Sequence, residues 1–521
     1  MEWFESGWGL SLVVFLPLVG ALVVLAIPKA EEETQKWTAL LFAGASFVLS
    51  VLLAFRFDFD VSGIQLGTNL DWITAINSNF HIGIDGISLP LLVLSTFITL
   101  LSIIYSWEHW PEPHNPKAFL VLILILATGM AGTFVALDLI LFFVFFEVVL
   151  LPMYFMIGIW GDRNEVTIPV FNITTQMRLY AAIKFFLFTL FGSAFMLLGF
   201  LVLYFKGGRT FDMLELAANG AEGMLGSGLA VWVFAALALG FAVKVPMFPF
   251  HTWLPDAHTA APTVGSVLLA AIMLKLGTYA FVRIAIPILP EQSQNWAPVI
   301  AILAVIGIIY ASLACLAQTD MKRLIAFSSV GHMGFVMLGI ATMTPIGINA
   351  AIIGMVAHGV ITGLLFFLAG SMSHRYHTRE MARLGGNQKL MPIMGTILGF
   401  TAMASLGLPG LAGFWGEFMA LLAAFSPAVG LSTTLFRTLM VIGAVGTVLA
   451  AGYLLWMLQK VNFGEPKDEW AGHEFHDVDI FEKMAWVPLI VTIIAIGVFP
   501  RLVFGATNDA VIDLVAKAFG G

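Results

Sequence analysis

Long runs of apolar residues recur along this chain, and charged residues lie almost only at their edges. A helix of about 20 such residues crosses the roughly 30 Å hydrocarbon layer of a bilayer, since it satisfies its backbone hydrogen bonds internally. Hydrophobic residues make up 60% of the 521 positions and charged residues 11%, against about 25% charged in soluble domains. The chain is therefore predicted to be an integral membrane protein.

Fourteen apolar stretches are long enough to be membrane-spanning helices, which predicts an all-α polytopic membrane protein with about 14 transmembrane helices. They cover residues 9–28, 38–56, 87–107, 118–136, 138–160, 179–204, 229–250, 262–285, 297–317, 323–342, 346–370, 392–425, 437–459 and 484–503. The longest polar segments, Gly161–Arg178, Phe205–Gly228 and Lys460–Lys483, are predicted to be loops. None is long enough for a soluble cofactor domain.

Lysine and arginine are divided unequally between the two sides of the predicted bundle. Loops after odd-numbered spans hold fourteen of the 24 Lys and Arg residues, the opposite loops hold seven, and three lie within spans. Cytoplasmic loops are usually the richer ones, so both termini are predicted to lie on the outer side. The tail, Ala506–Phe519, has apolar residues at helical spacing and is predicted to lie on the outer membrane interface.

Residues that hold common cofactors are scarce. Cys315 is the single cysteine, which excludes disulfides and multi-cysteine zinc or iron–sulfur sites held by this chain alone. The sequence has neither a GxxxxGK[ST] pattern nor a strand–GxGxxG–helix pattern. No cofactor, no metal and no nucleic-acid partner are therefore expected for this chain.

Two predicted helices are interrupted beside a charged residue. The seventh ends in Lys244-Val-Pro246-Met-Phe-Pro249, where Pro246 removes a helical hydrogen bond, and the twelfth holds Leu408-Pro409-Gly410 in its middle. Spans four to eight and nine to thirteen form two five-helix sets, and the broken helix is fourth in each. Membrane helices tolerate Pro and Gly generally, but matched breaks favour two inverted repeats with a site near the midplane.

This pattern predicts four parts of the chain. Residues 1–117 form an N-terminal three-helix segment, and residues 118–285 form the first five-helix repeat. Residues 286–460 form the second repeat. Residues 461–521 hold a C-terminal loop, the last transmembrane helix and the interfacial tail.

Ionisable side chains inside the apolar stretches are the candidate functional residues, because charge at membrane depth is costly. Glu147 lies nine residues after Asp138, about 13 Å deep at 1.5 Å per residue. Lys244 directly precedes the first break, where an opened turn would leave free carbonyls and room for water. The alternatives are a neutral, hydrogen-bonded glutamate and a static ion pair that orients helices.

Lys275 and Glu417 are buried in the same way. Lys275 lies thirteen residues past Pro262, and Glu417 lies eight residues past Pro409. In the second repeat, Glu417 is the carboxylate counterpart of Lys244. A buried lysine near a carboxylate is switchable, because separating the partners favours proton release from the lysine.

Histidines add groups that titrate near neutrality and can pass a proton through either ring nitrogen. His332 and His358, in the tenth and eleventh spans, are predicted to bridge the repeats, although each alone is more often a packing residue. Four residues near the cytoplasmic side are candidates for a proton entrance: His251, Asp256, His258 and Lys184. The first three could equally form a hydrogen-bonded loop, and Lys184 could snorkel to the interface.

Five segments together resemble one family: FEVVLLPMYFMIGIWG, KFFLFTLFGSAFML, FAVKVPMFPFHTWLPDAHTAAPTVGSVLLAAIMLKLGTYAFVR, FSSVGHMGFVMLG and GLPGLAGFWGEFMAL. They are similar to the antiporter-like subunits of respiratory complex I. Within these, the subunit M branch of bacterial NADH–quinone oxidoreductase is nearest, with its mitochondrial counterpart (chain 4) and the corresponding cyanobacterial subunit also similar. The resemblance implies a fourteen-helix fold within a membrane arm.

The resemblance also implies that one set of residues, here called the axis residues, transfers protons: Glu147, Lys244, Lys275, His332, His358 and Glu417. Glutamate at the Glu417 position is typical of the subunit M branch, because sister subunits usually carry lysine there. The implied partners are sister antiporter-like chains, other membrane-arm subunits, lipids and redox-arm subunits. Flavin, iron–sulfur clusters and quinone are expected in those partner subunits.

The implied location is the bacterial plasma membrane, or the thylakoid membrane for a cyanobacterial type. An alternative function is a subunit of a multisubunit cation/proton antiporter, which shares the lysine-bearing motif. The sequence leaves open the electron donor, the ion and the direction of transfer inside the protein. PMYFMIGIWG after Glu147, and glutamate at Glu417, favour the complex I function.

Overall fold

The structure is a computed structural model and describes residues 7–168, 173–470 and 472–520. Within these residues, thirteen helices are long and apolar enough to cross a membrane, and two shorter apolar helices make up one further crossing. They are α1 (Trp8–Ala26), α2 (Glu32–Arg56), α3 (Ser88–Tyr105), α4 (Pro116–Val135), α5 (Leu139–Trp160), α6 (Met177–Lys206), α7 (Ser227–Lys244), α8 (Thr263–Ile288), α9 (Pro290–Leu316), α10 (Met321–Ala341), α11 (Pro345–Tyr376), α12 (Pro392–Ser405 and Ala412–Phe425), α13 (Thr433–Val461) and α14 (Ile480–Val498). The predicted all-α membrane fold is confirmed.

Aspartates fix where several of these helices begin. Asp138 accepts hydrogen bonds from the backbone N–H groups of Ile140 and Leu141 at the start of α5. Asp320 caps α10 in the same way, and Asp479 forms a capping box with Glu482 at the start of α14. Each cap satisfies N–H groups that have no partner inside the helix, which allows tight turns between neighbouring spans.

The predicted break in the seventh helix is present. The helix ends at Lys244 and resumes as an eight-residue helix, α7b (Trp253–Ala260). Asp256 and His258 therefore lie in a helix, whereas His251 lies in the turn before it. Pro255 lies within the first turn of α7b, where a missing N–H costs no helical hydrogen bond.

The expectation that this break leaves free carbonyls is only partly met. The Met247 N–H donates to the Ala242 carbonyl at 2.9 Å, and the indole of Trp253 donates to the Val243 carbonyl at 2.9 Å. Both carbonyls near the break are thus bonded to protein groups. The turn is held in place by these bonds.

The break in the twelfth helix falls between Ser405 and Ala412. Gly407 and Gly410 lie in this turn with φ of 81° and 94°, a conformation that glycine adopts without steric cost. The broken helix is the fourth member of each five-helix set. Helices five places apart run in opposite directions through a membrane, so the two sets have inverted topology.

The eighth helix is fully buried and is not a regular α-helix. Two π-helical turns, Leu269–Met273 and Phe281–Ala285, flank the segment that carries Lys275. Such π turns appear often at functional sites, because they redirect side chains and carbonyls.

Glycines allow three close helix crossings around this core. A Cβ added at Gly416 of α12 would lie 2.6 Å from the Gly354 Cα of α11. A Cβ added at Gly277 of α8 would lie 2.7 Å from the Phe241 carbonyl of α7, and one at Gly359 of α11 would lie 2.9 Å from the Ala271 carbonyl of α8. Small residues at such crossings bring helix backbones into contact inside a membrane.

Regular structure is present in one segment for which nothing was predicted and in two of the predicted loops. A hairpin of β1 (Gln65–Ile73) and β2 (Ser78–Ile84) precedes α3, and a second of β3 (Glu165–Ile168) and β4 (Ile173–Gln176) lies in the predicted loop at 161–178. The predicted loop at 205–228 holds two short helices, Met213–Ala218 and Ala221–Leu225. Residues 169–172 and 471 of the predicted loops lie outside the described residues.

The first hairpin is anchored to the start of α5. Ser78 donates to the carboxylate of Asp138 at 3.0 Å, and the Asn79 N–H donates to the same group at 3.1 Å. His81 of this hairpin pairs with Asp212, which lies in the segment between α6 and α7. Burial opposes ionisation of Asp212, but the hydrogen bond and charge of His81 together with hydrogen bonds from the backbone N–H groups of Leu214 and Glu215 outweigh it and lower the pKa of Asp212.

The C-terminal tail begins earlier than predicted. The last span ends at Val498, before Pro500, so the predicted extension to residue 503 is wrong, and a tail helix α15 runs over Arg501–Phe519. Thr507 of α15 donates to Asn349 at the start of α11 at 2.5 Å. Its location on the outer interface and the four-part division of the chain remain predictions.

Replacing Gly416 by alanine should destabilise the protein by about 1–3 kcal/mol, because overpacking a tight contact forces backbone shifts. Gly399→Ala, in the same broken helix, is the matched control, since a Cβ there meets no heavy atom within 4 Å. Thermal unfolding of the purified protein in detergent compares the two. Equal midpoints for both variants would contradict the close crossing of α11 and α12.

Candidate functional site

The central contact of the candidate site joins the two repeats. The Nζ atom of Lys275 lies 2.6 Å from Nδ1 of His358 on α11 and donates to the Ala270 carbonyl at 2.6 Å. Ala270 belongs to the π turn that precedes Lys275. The buried Lys275 side chain thus has a backbone carbonyl and an imidazole nitrogen as polar partners.

A second contact continues the series of titratable groups in the second repeat. The Nδ1 atom of His332, on α10, lies 2.8 Å from the Oε1 atom of Glu417, on α12. Its other ring nitrogen, Nε2, lies 3.2 Å from the Ser405 hydroxyl. His332 is therefore bonded on both sides, to residues that flank the break in α12.

His332 and His358 are near each other but not bonded. Their ring centroids are 5.8 Å apart, and Nε2 of His358 is buried without a protein partner. A cavity of about 30 Å³ is lined by both histidines, Ser405 and Glu417. Because a water molecule needs about 10–15 Å³ of such volume and two to four polar partners, this cavity can hold one.

Glu147 and Lys244 lie close enough to interact electrostatically. The Nζ atom of Lys244 is 4.6 Å from the ring centroid of Phe146, so the aromatic face provides part of its stabilisation. The Ser193 hydroxyl is within hydrogen-bonding reach of Glu147. The expected proximity of this carboxylate and this lysine is present in the structure.

The candidate entrance residues do not form one cluster. Lys184 donates to Asp256 at 2.7 Å, and Arg323 lies 3.5 Å from the same carboxylate. His251 packs against the rings of Phe248 and Tyr310. Lys184 thus pairs with a residue of α7b. The contact of Arg323 with the same carboxylate was not predicted from the sequence.

His258 lies apart from that pair. It is fully buried, its ring stacks on Phe366 with centroids 4.5 Å apart, and neither ring nitrogen has a protein partner. A buried polar atom without a partner is costly. His258 is thus the entrance candidate whose polar atoms are least satisfied.

Residues of both repeats hold the end of α7b. The Thr259 carbonyl accepts from Arg379 at 2.7 Å, the Ala260 carbonyl accepts from the Asp162 N–H at 2.8 Å, and the Ala261 carbonyl accepts from Lys322. Cations stabilise the negative end of a helix dipole. An open cavity of about 880 Å³ lies beside this end of the helix.

One further cluster has the composition of a metal site. The ligand atoms of His109, Asp479 and Glu482 lie within 4.8 Å of one another. Arg375 already occupies both carboxylate oxygens of Glu482 at 2.7 Å. The cluster is therefore better described as an ion-pair network, and the expected absence of a metal stays a prediction.

Sequence reasoning found the buried charges but missed the hydroxyl groups that contact them. Ser193 and Ser405 are ordinary residues of apolar helices, where serine more often bonds to its own backbone. Ser405 lies directly before Leu406-Gly407, so its position at the break was the available signal. The proton-transfer roles of the axis residues and entrance candidates remain predictions.

Replacing Asp256 by asparagine should destabilise the protein by about 3 kcal/mol, because Lys184 is left partly buried without a counter-charge. Adding Lys184→Gln should recover part of the loss, with a coupling of about 0.5–3 kcal/mol. Thermal unfolding of both single variants and the double variant measures this coupling. Asp513→Asn, which breaks an exposed pair with Lys517, is the control and should change little; strictly additive losses would contradict the Lys184–Asp256 pair.

Comparisons with known proteins cover nearly the whole chain. A family model described as NADH:quinone oxidoreductase/Mrp antiporter, TM, matches residues 136–443. A second, described as NADH-ubiquinone oxidoreductase chain 4, amino terminus, matches residues 12–133. The first alone covers more than half of the chain.

Named relatives match over almost their full length. NADH-quinone oxidoreductase subunit M of Rickettsia prowazekii is 38% identical over 514 residues, which is 98% of this chain and 99% of the relative. The subunit M of Rhodobacter capsulatus is 39% identical over 519 residues, 97% of this chain and 96% of the relative. NADH-ubiquinone oxidoreductase chain 4 of Marchantia polymorpha is 38% identical over 510 residues, 97% of each chain.

Two solved structures share the fold. A chain of respiratory complex I from Thermus thermophilus with bound NADH superposes with a TM-score of 0.84 at 29% identity, over 98% of this chain and 99% of that chain. A chain of the Mrp complex from Dietzia sp. DQ12-45-1b has the same TM-score at 20% identity, over 98% of each chain, and supports the fold alone. The chain thus belongs to the family of antiporter-like membrane subunits that includes NADH-quinone oxidoreductase subunit M.

Proposed function

We propose that this chain is the subunit M of a proton-translocating NADH–quinone oxidoreductase and carries protons through its axis residues. The observation that carries this proposal is the 2.6 Å contact between Lys275 and His358, which links the titratable groups of the two repeats. Identity of 38–39% to subunits M over nearly the full length of each chain supports the assignment.

The proton path begins on the cytoplasmic side near α7b. A proton loads Lys244, and the charge of Glu147 balances the ammonium. Lys244 is buried, so the attraction between the two charges is stronger than it would be in water. A change in charge at one end of the path therefore shifts the affinity of Lys244 for its proton.

The middle of the path depends on a lysine with neutral partners. The Lys275 ammonium donates to Nδ1 of His358, and transfer of that proton leaves a neutral amine and an imidazolium. Among the described residues no carboxylate pairs with this ammonium, so the cost of burying it is met by the dipoles of its partners. Nearby charges can therefore move this proton in either direction.

The last steps run through the 30 Å³ cavity. A water molecule there relays a proton from His358 to His332, since the two rings are too far apart for direct transfer. His332 passes it from Nδ1 to Glu417 across 2.8 Å. Glu417 lies in the half of α12 that follows the break, and release from it is to the outer side.

The energy for this transfer comes from electron transfer in partner subunits. Those partners include sister antiporter-like chains and redox-arm subunits that hold flavin, iron–sulfur clusters and quinone, while lipids surround the bundle. This chain itself holds no redox centre in the proposal. It resides in a bacterial plasma membrane with both termini on the outer side; a match of 37% to chain 4 of a Nostoc oxidoreductase leaves a thylakoid location as the alternative.

A second candidate function is a subunit of a multisubunit cation/proton antiporter. The family model that matches residues 136–443 is described for both the oxidoreductase and the Mrp antiporter, which favours the antiporter as the runner-up. Gentle purification from the native membrane separates the two. Co-purification with flavin and iron–sulfur proteins supports the oxidoreductase, whereas an assembly of small membrane proteins without redox centres supports the antiporter.

Lys244→Ala and Glu417→Ala should each abolish or sharply reduce pumping while the complex still assembles. Loss of a proton-transferring side chain typically slows its step by about 10²–10⁴-fold. The proton-to-electron ratio of sealed vesicles measures the effect, and native gels check assembly. Lys517→Ala, an exposed lysine of the tail helix, is the control that should pump normally; normal ratios in both axis variants would refute the proposed function.

A further inference from the structure

Ser405 differs from the other buried hydroxyl residue in its helix. It is the last residue before the break in α12, is 2% exposed, and its hydroxyl lies 3.2 Å from Nε2 of His332. Thr401, one turn earlier and equally buried, donates to the carbonyl of Ile397 within its own helix at 2.7 Å. Ser405 thus uses its hydroxyl on a titratable group of another helix.

Glu417 favours one position for the proton of His332, and the Ser405 hydroxyl adapts to it. An ionised Glu417 can only accept hydrogen bonds, so Nδ1 of His332 must donate to it. In a neutral imidazole the other nitrogen then holds a lone pair, and the Ser405 hydroxyl donates to Nε2. The carboxylate therefore favours the Nδ1–H tautomer of the neutral ring, and the hydroxyl serves as the donor to Nε2 in that state.

The hydroxyl also fits the charged form of the ring. When His332 is an imidazolium, Nε2–H becomes a donor, and the same hydroxyl accepts from it after rotating about its C–O bond. A side chain that only donates or only accepts could not serve both states. Serine keeps Nε2 bonded throughout, which avoids the penalty of a buried, unpaired nitrogen.

The turn in α12 holds both partners of His332. Ser405 ends the first half of α12, and Gly407 lies in the turn with φ of 81°. A Cβ built at Gly407 would lie 3.1 Å from Oε2 of Glu417, so the turn is packed directly against the carboxylate. The break thus places the hydroxyl and the carboxylate on opposite nitrogens of one ring.

We propose that Ser405 is a positioning residue for the last internal proton transfer, a role that rests on the proposed function. In that step the Nδ1–H bond of the imidazolium breaks, an O–H bond forms on Oε1 of Glu417, and the electron pair stays on Nδ1. Nε2 keeps its proton and donates to Ser405. Once Glu417 has released its proton to the outer side, its carboxylate faces the Nδ1 lone pair, and the next proton binds there and restores the imidazolium.

The direct test compares Ser405→Thr with Ser405→Val in the complete complex. The two side chains have nearly the same shape and differ in the hydroxyl alone, so a merely structural role predicts equal behaviour. The proton-to-electron ratio in sealed vesicles should be at least several-fold higher for Ser405→Thr. Ser405→Val pumping as well as Ser405→Thr would overturn the proposal.

Two further variants keep the test decisive. Thr401→Val removes a buried hydroxyl from the same helix without touching His332 and should pump normally. If the larger Thr and Val side chains prevent assembly, Ser405→Ala is compared with Ser405→Cys, whose thiol still donates and accepts weakly. Equal pumping by those two would also overturn the proposal.

Glu417→Ala, measured in the same vesicles, separates this proposal from the proposed function. A normal ratio in Glu417→Ala means that the proposed path is wrong, and the role of Ser405 fails with it. A reduced ratio in Glu417→Ala, with no difference between the Thr and Val variants, means that the proposal for Ser405 alone fails.

Discussion

The contact between Lys275 and His358 lies where the two repeats meet, and it depends on how closely α8 and α11 approach. Gly359, next to His358, permits this approach, because a side chain there would collide with the Ala271 carbonyl. The π turn in α8 sets the Ala270 carbonyl against the ammonium. Without that approach, Lys275 of the first repeat would lose its contact with His358 of the second repeat.

Two kinds of buried charge coexist in the bundle. Arg283 pairs with Asp85 at 2.5 Å and Arg375 pairs with Glu482 at 2.7 Å, both as direct ion pairs that fix helices to one another. Lys275 instead contacts a carbonyl and an imidazole, and Lys244 contacts an aromatic face near a carboxylate. A residue in a direct ion pair loses its charge only at a high cost in free energy. Lys275 and Lys244, whose contacts are a carbonyl, an imidazole and an aromatic face, can lose a proton at a lower cost.

The sequence allowed good prediction of the fold, because apolar length and the position of Pro and Gly are local properties. Helix ends were less predictable: α2 begins at Glu32 instead of 38, and α11 runs to Tyr376 instead of 370. Polar side chains at these ends extend a helix past its apolar stretch and bond to water or to loops. The second hairpin was missed because its strands have four residues each, and the first because part of its stability comes from the distant residues Asp138 and Asp212.

For the site, each buried charge was visible as a charge in an apolar run, but its partner was not. The pairing of His332 with Glu417 joins residues 85 apart, and that of Lys275 with His358 joins residues 83 apart. Spacing along one helix carries no information about which helix packs beside it. Ser405 and Ser193 were missed for the same reason, since a hydroxyl in an apolar helix acquires meaning only from its neighbour.

The central claim is that protons cross from one repeat to the other through His358. The most direct measurement is the proton-to-electron ratio of the complex with His358→Leu, which removes the imidazole and nearly keeps its volume. Removing one partner of a buried hydrogen bond costs about 1–3 kcal/mol, but Lys275 keeps its bond to the Ala270 carbonyl, and native gels check that the complex assembles. The account predicts quinone reduction with strongly reduced pumping; a normal ratio in a fully assembled complex would contradict it.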